Sequence, residues 1–230
     1  MGLEFYYDLL SQPCRAVYFL LKCAKVDFKG CSVSLLKGEH LTPEFLKKNP
    51  YHKVPVIIDD GFALSESLAI MRYIVSKKKL PAQWFAADNP KNQARVDEFL
   101  SWQGSTIRSN CITVFQGMFR DKVGVLAFSK QPMDVEKVTA AKAEVTRSVT
   151  HLADYFLQDK QFIGGSKMSV ADILGVCELY QLHAVNELDN LVKSNPKVKA
   201  WFERVVKAIG AEWTPGNVEI DSFREKYMKA

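Results

Sequence analysis

The sequence predicts an α/β amino-terminal part followed by an all-helical carboxy-terminal part. Strand and helix patterns alternate over the first third of the chain, a lysine- and proline-containing stretch follows, and the apolar spacing beyond it is helical throughout. With 230 residues, 47% of them hydrophobic, the chain can build the cores of two small domains. We therefore expect one domain over residues 1–77, a linker over 78–90 and a second domain over 91–230.

The amino-terminal part begins with two strands separated by a helix. Alternating apolar residues predict strands near residues 3–7 and 31–35. Residues 12–24 between them have helical apolar spacing, with Pro13 in the first turn, where its missing N–H costs nothing. Because the two strands enclose a helix, they should run parallel.

A short helix, a hairpin and a longer helix complete the order βαβ-α-ββ-α. Thr42 before a proline is typical of a helix start. Residues 56–64 turn at Asp60-Gly61, a strong hairpin signal, and an amphipathic helix begins near Ser67. The Val54-Pro55 bond at the strand entrance can be cis, and would then present the Val54 main chain at an outward edge.

The carboxy-terminal part contains only helical patterns. Long amphipathic stretches cover residues 91–119 and 133–157, and further helices are predicted over 196–209 and 218–228. The Ser169-x-x-Asp172 sequence predicts a reciprocal cap at another helix start.

Composition excludes several classes of protein. The cysteines are odd in number and form no C-x-x-C pair, which favours reduced thiols in the cytoplasm: Cys14, Cys23, Cys31, Cys111 and Cys177. The net charge of +5 is too small and too dispersed to indicate nucleic-acid binding. No long uncharged apolar run predicts a membrane span, and the first residues lack the pattern of a signal peptide.

Several of these segments together resemble the cytosolic glutathione transferases, the theta class in particular. The resemblance covers essentially the whole chain and is carried by residues 9–17, His40, Lys53-Val54-Pro55, Glu66-Ser67 and Ser169-x-x-Asp172. It implies a thioredoxin-like amino-terminal domain, a helical second domain and a homodimer. It also implies a detoxifying enzyme that conjugates reduced glutathione to small electrophiles. Such an enzyme contains no metal, and glutathione peroxidase activity is a second activity that the resemblance allows.

The resemblance assigns catalysis to Ser11. A free thiol titrates at about 8.5, so such an enzyme must stabilise the thiolate of glutathione. Lowering that pKa by about 2 units needs about 2.7 kcal/mol, and one hydrogen bond to a charged group contributes roughly 1.5–3 kcal/mol. A serine before a helix is otherwise most often a simple cap. Tyr7 is the second candidate, since other classes use a tyrosine at about this point.

The remaining site residues also come from the resemblance. His40 and Lys53 are expected to contact the glycine carboxylate of glutathione, and the Val54 main chain, held by Pro55, to pair with its cysteinyl unit. Glu66 is expected to accept from the α-amine. Ser67, at a helix start, suits the γ-glutamyl carboxylate. Arg108 lies near the position at which theta enzymes direct an arginine toward the active site.

The electrophile pocket is the least defined part of the prediction. It is expected between Leu10, the loop near His40 and the inner face of the 107–119 helix, where Ile112, Phe115 and Phe119 are core or pocket residues. The tail after Met228 is short compared with some theta enzymes, and the sequence leaves open whether it closes over the site as a lid.

Two other functions remain alternatives. The chain could be a non-catalytic module of the same fold, or a carrier of apolar ligands. Retention of Ser11, Lys53, Glu66 and Ser67 argues against both. It could also be a thiol-disulfide reductase, but serine at position 11 replaces the nucleophilic cysteine of a C-x-x-C motif and leaves Cys14 as its buried second position.

Overall fold

The computed structural model describes residues 2–123 and 133–228, without the side chains of residues 120–123. The chain forms two compact units. The first contains the residues up to Pro81 together with Ala211–Asn217, and the second contains Ala82–Gly210 and the residues from Val218 onward. The tail after Met228 lies outside the described residues, and the boundaries predicted for a linker over 78–90 stay a prediction.

The first unit is a four-stranded mixed sheet with helices. Its strands follow the order β2-β1-β3-β4, in which β1 and β2 are parallel and the other neighbours antiparallel. This confirms the predicted βαβ-α-ββ-α order. The elements are β1 (Leu3–Tyr7), α1 (Gln12–Cys23), β2 (Lys29–Ser32), α2 (Pro43–Leu46), β3 (Val56–Asp59), β4 (Phe62–Ser65) and α3 (Ser67–Lys77).

The second strand lies earlier than its apolar alternation predicted. It covers Lys29–Ser32, and the Val33 N–H still donates to the Tyr7 carbonyl at 2.8 Å. The Leu35 N–H, in contrast, donates to the Asp8 carboxylate at 2.8 Å. The strand ends because this side chain takes over a donor that a ladder would otherwise use.

The core of the first unit lies between the sheet and two helices. Phe5 and Ile57 are fully buried on the sheet, and α1 packs against α3 through side chains that are equally buried. Pro13 at the start of α1 and the Thr42 hydroxyl, which accepts from the Phe45 N–H, begin their helices as predicted. The start of α1 is therefore held on a packed scaffold.

The second unit is built from helices, as predicted, and its described connecting segments include one isolated bridge between Phe162 and Gly165. The expected helix over 91–119 is two helices, since the Ser105 hydroxyl bonds back to the Trp102 carbonyl and the chain bends at Thr106. The last helix begins before residue 218, because Pro215 is tolerated in a first turn. The helices are α4 (Pro90–Ser105), α5 (Ile107–Val123), α6 (Val135–His151), α7 (Val170–Tyr180), α8 (Pro196–Ile209) and α9 (Trp213–Tyr227), of which α9 belongs to this unit only from Val218 onward.

Helix α7 is the centre of the second unit, because every one of its residues is buried. The predicted reciprocal cap at its start is confirmed. The Asp172 carboxylate accepts from the Ser169 N–H and hydroxyl, each at 2.9 Å. It also accepts from the Ile163 N–H and from the indole Nε1 of Trp201, both at 2.9 Å. One buried carboxylate therefore ties together three parts of the helical unit.

Candidate active site

The predicted site residues of the first unit follow or precede strand ends that share one edge of the sheet. Tyr7 at the end of β1 is paired with Ser32 at the end of β2. Val56 at the start of β3 is paired with Tyr6 and with Ser65 at the end of β4. The segments carrying Ser11, His40, Val54-Pro55 and Glu66-Ser67 therefore all leave the sheet at this edge.

Ser11 is the residue that precedes α1, and its hydroxyl does not cap the helix. The residue has extended backbone angles, φ −84° and ψ 124°, and is half-buried. Within the described structure, its side chain forms no capping hydrogen bond to the free N–H groups of α1. Its own N–H donates to the Asp8 carbonyl at 3.0 Å. The turn therefore positions the hydroxyl, and the hydroxyl does not serve as a cap for the backbone of α1.

Asp8 and Arg15 hold the loop between β1 and α1. The buried Asp8 carboxylate accepts from the Leu10 N–H through Oδ1 at 2.8 Å. The fully buried Arg15 guanidinium donates through Nη1 to the carbonyls of Leu9, at 2.9 Å, and Leu10, at 3.1 Å. Neither residue was assigned a role from the sequence, although a charged residue such as Arg15 on an apolar helix face was a usable signal.

Two other side chains near the start of α1, those of Cys14 and Tyr7, could compete with Ser11 for its role. Burial raises the pKa of the Cys14 thiol to about 12, although a side-chain hydrogen bond with Ser11 opposes this. Cys14 is therefore protonated at neutral pH and is not a nucleophile. The Tyr7 ring stacks on Phe5 with centroids 4.7 Å apart, and its hydroxyl lies 3.2 Å from the point where Gly30 of β2 would carry a Cβ.

His40 lies in a short turn, Glu39–Leu41, and carries a buried nitrogen. Its Nδ1 has no hydrogen-bond partner among the residues that the structure describes. Burial lowers the pKa of His40, the nearby His52 lowers it further, and the Asp8 carboxylate partly opposes both effects. The ring is therefore neutral at neutral pH and can accept a proton when an anion binds beside it.

A buried asparagine, Asn49, holds the main chain of the segment before β3. The Val54-Pro55 peptide bond is cis, and both residues are buried. The Asn49 side chain donates to the Lys53 carbonyl at 2.7 Å and accepts from the Tyr51 N–H at 3.0 Å. The Lys53 side chain is exposed. Sequence reasoning missed Asn49, whose role depends on a contact that its residue type alone does not indicate.

Glu66 has an unusual backbone conformation. Its φ of 68° and ψ of 111° lie outside the regions that residues with a side chain prefer. Such a conformation costs of order 1–3 kcal/mol and is concentrated at functional sites. Its side chain is exposed and makes no capping bond, while Ser67 is the first residue of α3. Within the described part of the chain, an exposed carboxylate that caps no N–H group therefore lies next to the first residue of α3.

Arg108 lies in the second unit, on α5. Its guanidinium Nη1 is 2.5 Å from Oε1 of the fully buried Glu178 on α7. Phe115 and Phe119, the candidate pocket aromatics of the same helix, are buried, and the Phe119 ring packs on Phe223 with centroids 4.8 Å apart. Ile112 is half-buried.

The residues that the structure describes contain no cluster of three metal-ligating side chains. Over the same described ranges, no helix has the length and apolar character that a membrane crossing requires. All five cysteines carry free thiols.

The fold and the arrangement at the sheet edge define a protein with one thioredoxin-like unit and one helical unit. Comparison with known proteins supports this class. The model named Glutathione S-transferase, N-terminal domain, matches residues 5–76, and Glutathione S-transferase, C-terminal domain, matches residues 117–208. Glutathione S-transferase theta-1 of Bos taurus is 40% identical over 210 residues, which cover 91% of this chain and 85% of the relative.

Solved structures give the same result. Human glutathione S-transferase T1-1 in its apo form has a TM-score of 0.86 at 34% identity, covering 97% of this chain and 91% of that one. A human theta-class glutathione transferase in complex with the glutathione conjugate of 1-menaphthyl sulfate has a TM-score of 0.88 at 33% identity. The match covers 99% of this chain and 91% of that one. The chain therefore belongs to the theta class of the glutathione S-transferase family, and the predicted glutathione transferase fold is confirmed.

Proposed function

We propose that this protein conjugates reduced glutathione to small electrophiles and that Ser11 stabilises the thiolate of the bound glutathione. The observation that carries the proposal is the Ser11 hydroxyl, which caps no backbone N–H group of α1 and which lies at the sheet edge where the other site segments meet. The start of α1 adds a favourable potential for an anion. The family membership supports glutathione as the co-substrate.

The hydroxyl acts by donating a hydrogen bond to the sulfur. A thiolate that receives this bond is favoured over the thiol by roughly 1.5–3 kcal/mol, enough to lower the thiol pKa toward neutrality. Holding the electrophile next to the thiolate supplies further acceleration through proximity. The Tyr7 hydroxyl lies against Gly30, which pairs with Phe5 two residues away from the strand ends at the site edge, and this supports Ser11 over Tyr7 for the role.

The remaining groups are proposed to bind the peptide part of glutathione. The main chain at Val54 and the cis Pro55 would pair with its cysteinyl unit as an added strand. Lys53 and His40 would contact the glycine carboxylate. For the γ-glutamyl end, we propose that Glu66 accepts from the α-amine and that Ser67 with the N–H groups of α3 binds the carboxylate.

Two further side chains have weaker assignments. The Gln12 side chain is buried next to Ser11, and its Nε2 has no partner among the described residues, so it is available to donate to a bound group. Arg108 stays a proposed substrate contact by family resemblance. Its guanidinium forms an ion pair with the buried carboxylate of Glu178.

Binding at the His40 end predicts a pH dependence. A carboxylate beside His40 raises the pKa of the ring from its lowered value in the free protein, so binding takes up a proton. We expect the affinity for S-methylglutathione, which has no ionisable thiol, to increase up to about tenfold as the pH falls through the range of about 8 to 5. Calorimetric titrations at a series of pH values measure this.

Two variants control that experiment. His40→Gln should remove most of the pH dependence, whereas His151→Gln, on α6 of the second unit, should keep it. An affinity that does not change with pH in the wild type would remove His40 from the carboxylate site.

Turnover of a small alkyl halide tests the proposed function. We expect halide release that requires reduced glutathione and is inhibited by S-methylglutathione, which occupies the site but cannot react. Halide release that is independent of glutathione, or no release despite binding, would contradict the proposal. A parallel assay with an organic hydroperoxide decides whether peroxidase activity accompanies conjugation.

We also propose that the protein is a homodimer in the cytoplasm. The free thiols at all five cysteines support a reducing compartment, and the family membership supports a dimer. Sedimentation of the purified protein tests the dimer directly.

A further inference from the structure

One buried carboxylate contacts both the loop that carries Ser11 and the segment that leads to His40. Asp8 is only 6% exposed, and its two oxygens accept from different parts of the chain. Oδ1 accepts from the Leu10 N–H and Oδ2 from the Leu35 N–H, each at 2.8 Å. Charge-assisted bonds of this kind are about twice as strong as neutral ones and offset the cost of burying the charge.

On the Ser11 side, Asp8 determines the shape of the turn. Its carbonyl accepts from the Ser11 N–H at 3.0 Å while its carboxylate accepts from the Leu10 N–H. A side chain that bonds the main chain two residues ahead is a recurrent way of fixing a turn. The position of the Ser11 hydroxyl therefore depends on both polar groups of Asp8.

On the His40 side, the constraint passes through a short chain of hydrogen bonds. Leu35 is fixed by Asp8, and its carbonyl accepts from the Gly38 N–H at 3.1 Å. The Glu39 carboxylate accepts from the Ser34 N–H at 2.7 Å, and the Glu39 N–H donates to the Ser34 carbonyl at 3.1 Å. The turn that contains His40 is thereby attached to the residues beside Leu35.

We propose that Asp8 is a positioning residue that couples the thiolate-stabilising Ser11 loop to the His40 turn, so that one carboxylate aligns the sulfur and glycine ends of bound glutathione. This inference rests on the proposed function, since it concerns the same site. Asp8 itself contacts neither the sulfur nor the electrophile. It acts through the main chain that places Ser11 and His40.

Asp8→Asn tests the proposal, with Asp59→Asn as its matched control. An asparagine has one oxygen and one NH2 group, so it cannot accept from both the Leu10 and Leu35 N–H groups. Asp59 is 5% exposed in the same unit and accepts from the Tyr73 hydroxyl at 2.8 Å. Asp59 is the last residue of β3, and the site edge is at the other end of that strand, at Val56. Both variants therefore remove a buried carboxylate, but only Asp8→Asn affects the proposed link.

The measurement is the pKa of the bound glutathione thiol, followed by the ultraviolet absorbance of the thiolate, together with KM and kcat. In Asp8→Asn we expect the thiol pKa to rise by about one unit and KM for glutathione to rise about tenfold. At a pH where the thiol is fully ionised, kcat should recover. Asp59→Asn should keep the wild-type pKa and KM, whatever its effect on thermal stability.

A thiol pKa and KM in Asp8→Asn equal to those of Asp59→Asn would overturn the inference and leave the proposed function intact. If the wild type itself does not lower the pKa of the thiol, the proposed function fails, and the inference fails with it. Should Asp8→Asn not fold, Asp8→Glu is measured instead. It keeps the charge but cannot keep both 2.8 Å contacts, so the same increase in pKa and KM is expected, and wild-type values would overturn the inference.

Discussion

Ser11→Ala is expected to lower kcat/KM for conjugation at neutral pH about hundredfold. The variant loses the one hydroxyl that we assign to the thiolate, and removing a single donor to a developing or resident anion typically costs a factor of about 10²–10³. Because the helix does not use this hydroxyl as a cap, the free energy of unfolding should change little. Steady-state kinetics with an alkyl halide, with thermal unfolding as a second measurement, checks both expectations.

Tyr7→Phe is the control for this prediction, since it removes the rival hydroxyl and keeps the ring that stacks on Phe5. We expect near wild-type kinetics from it. Both variants should still bind S-methylglutathione, which needs no thiolate stabilisation. A large loss in Tyr7→Phe together with normal turnover in Ser11→Ala would transfer the role to the tyrosine.

Asp172→Ala is expected to lower the free energy of unfolding by about 3 kcal/mol or more. The carboxylate accepts four hydrogen bonds, and its removal leaves the Ser169 and Ile163 N–H groups and the Trp201 indole buried without it. Each buried donor left unsatisfied costs roughly 1–3 kcal/mol. Burial raises the pKa of Asp172, and the hydrogen bonds from Ile163, Trp201 and Ser169 oppose this increase.

Denaturant unfolding of Asp172→Ala beside Asp189→Ala provides the measurement. Asp189 belongs to the same unit but is mostly exposed, and its ion pair with Lys193, at 3.1 Å, lies on the surface. Its removal should cost about 1 kcal/mol or less. Equal effects of the two substitutions would show that the capping carboxylate does not hold the helical unit together.

Local signals in the sequence predicted most of the fold. Pro13, the Asp60-Gly61 turn and the Ser169-x-x-Asp172 cap act on their immediate neighbours, so their residue types suffice to locate element ends. The end of β2 was placed too late because it depends on the Leu35 N–H, which bonds to Asp8, 27 residues earlier. A contact between residues this far apart in the chain leaves no periodic pattern.

The sequence also indicated some residues of the candidate site and not others. Residues that we propose to face a ligand, such as Ser11 and Glu66, belong to short motifs and were named from the sequence. Asp8, Arg15 and Asn49, which bond main-chain groups and so position those motifs, were missed. Their signal was a polar residue within an apolar stretch, and such a residue indicates a buried partner without identifying it.

A crystal structure with bound reduced glutathione tests the central claim most directly. The account predicts that the sulfur lies within hydrogen-bonding distance of the Ser11 hydroxyl, with the cysteinyl main chain paired to Val54. A sulfur whose nearest hydroxyl is that of Tyr7, or a tripeptide bound away from this edge of the sheet, would contradict it.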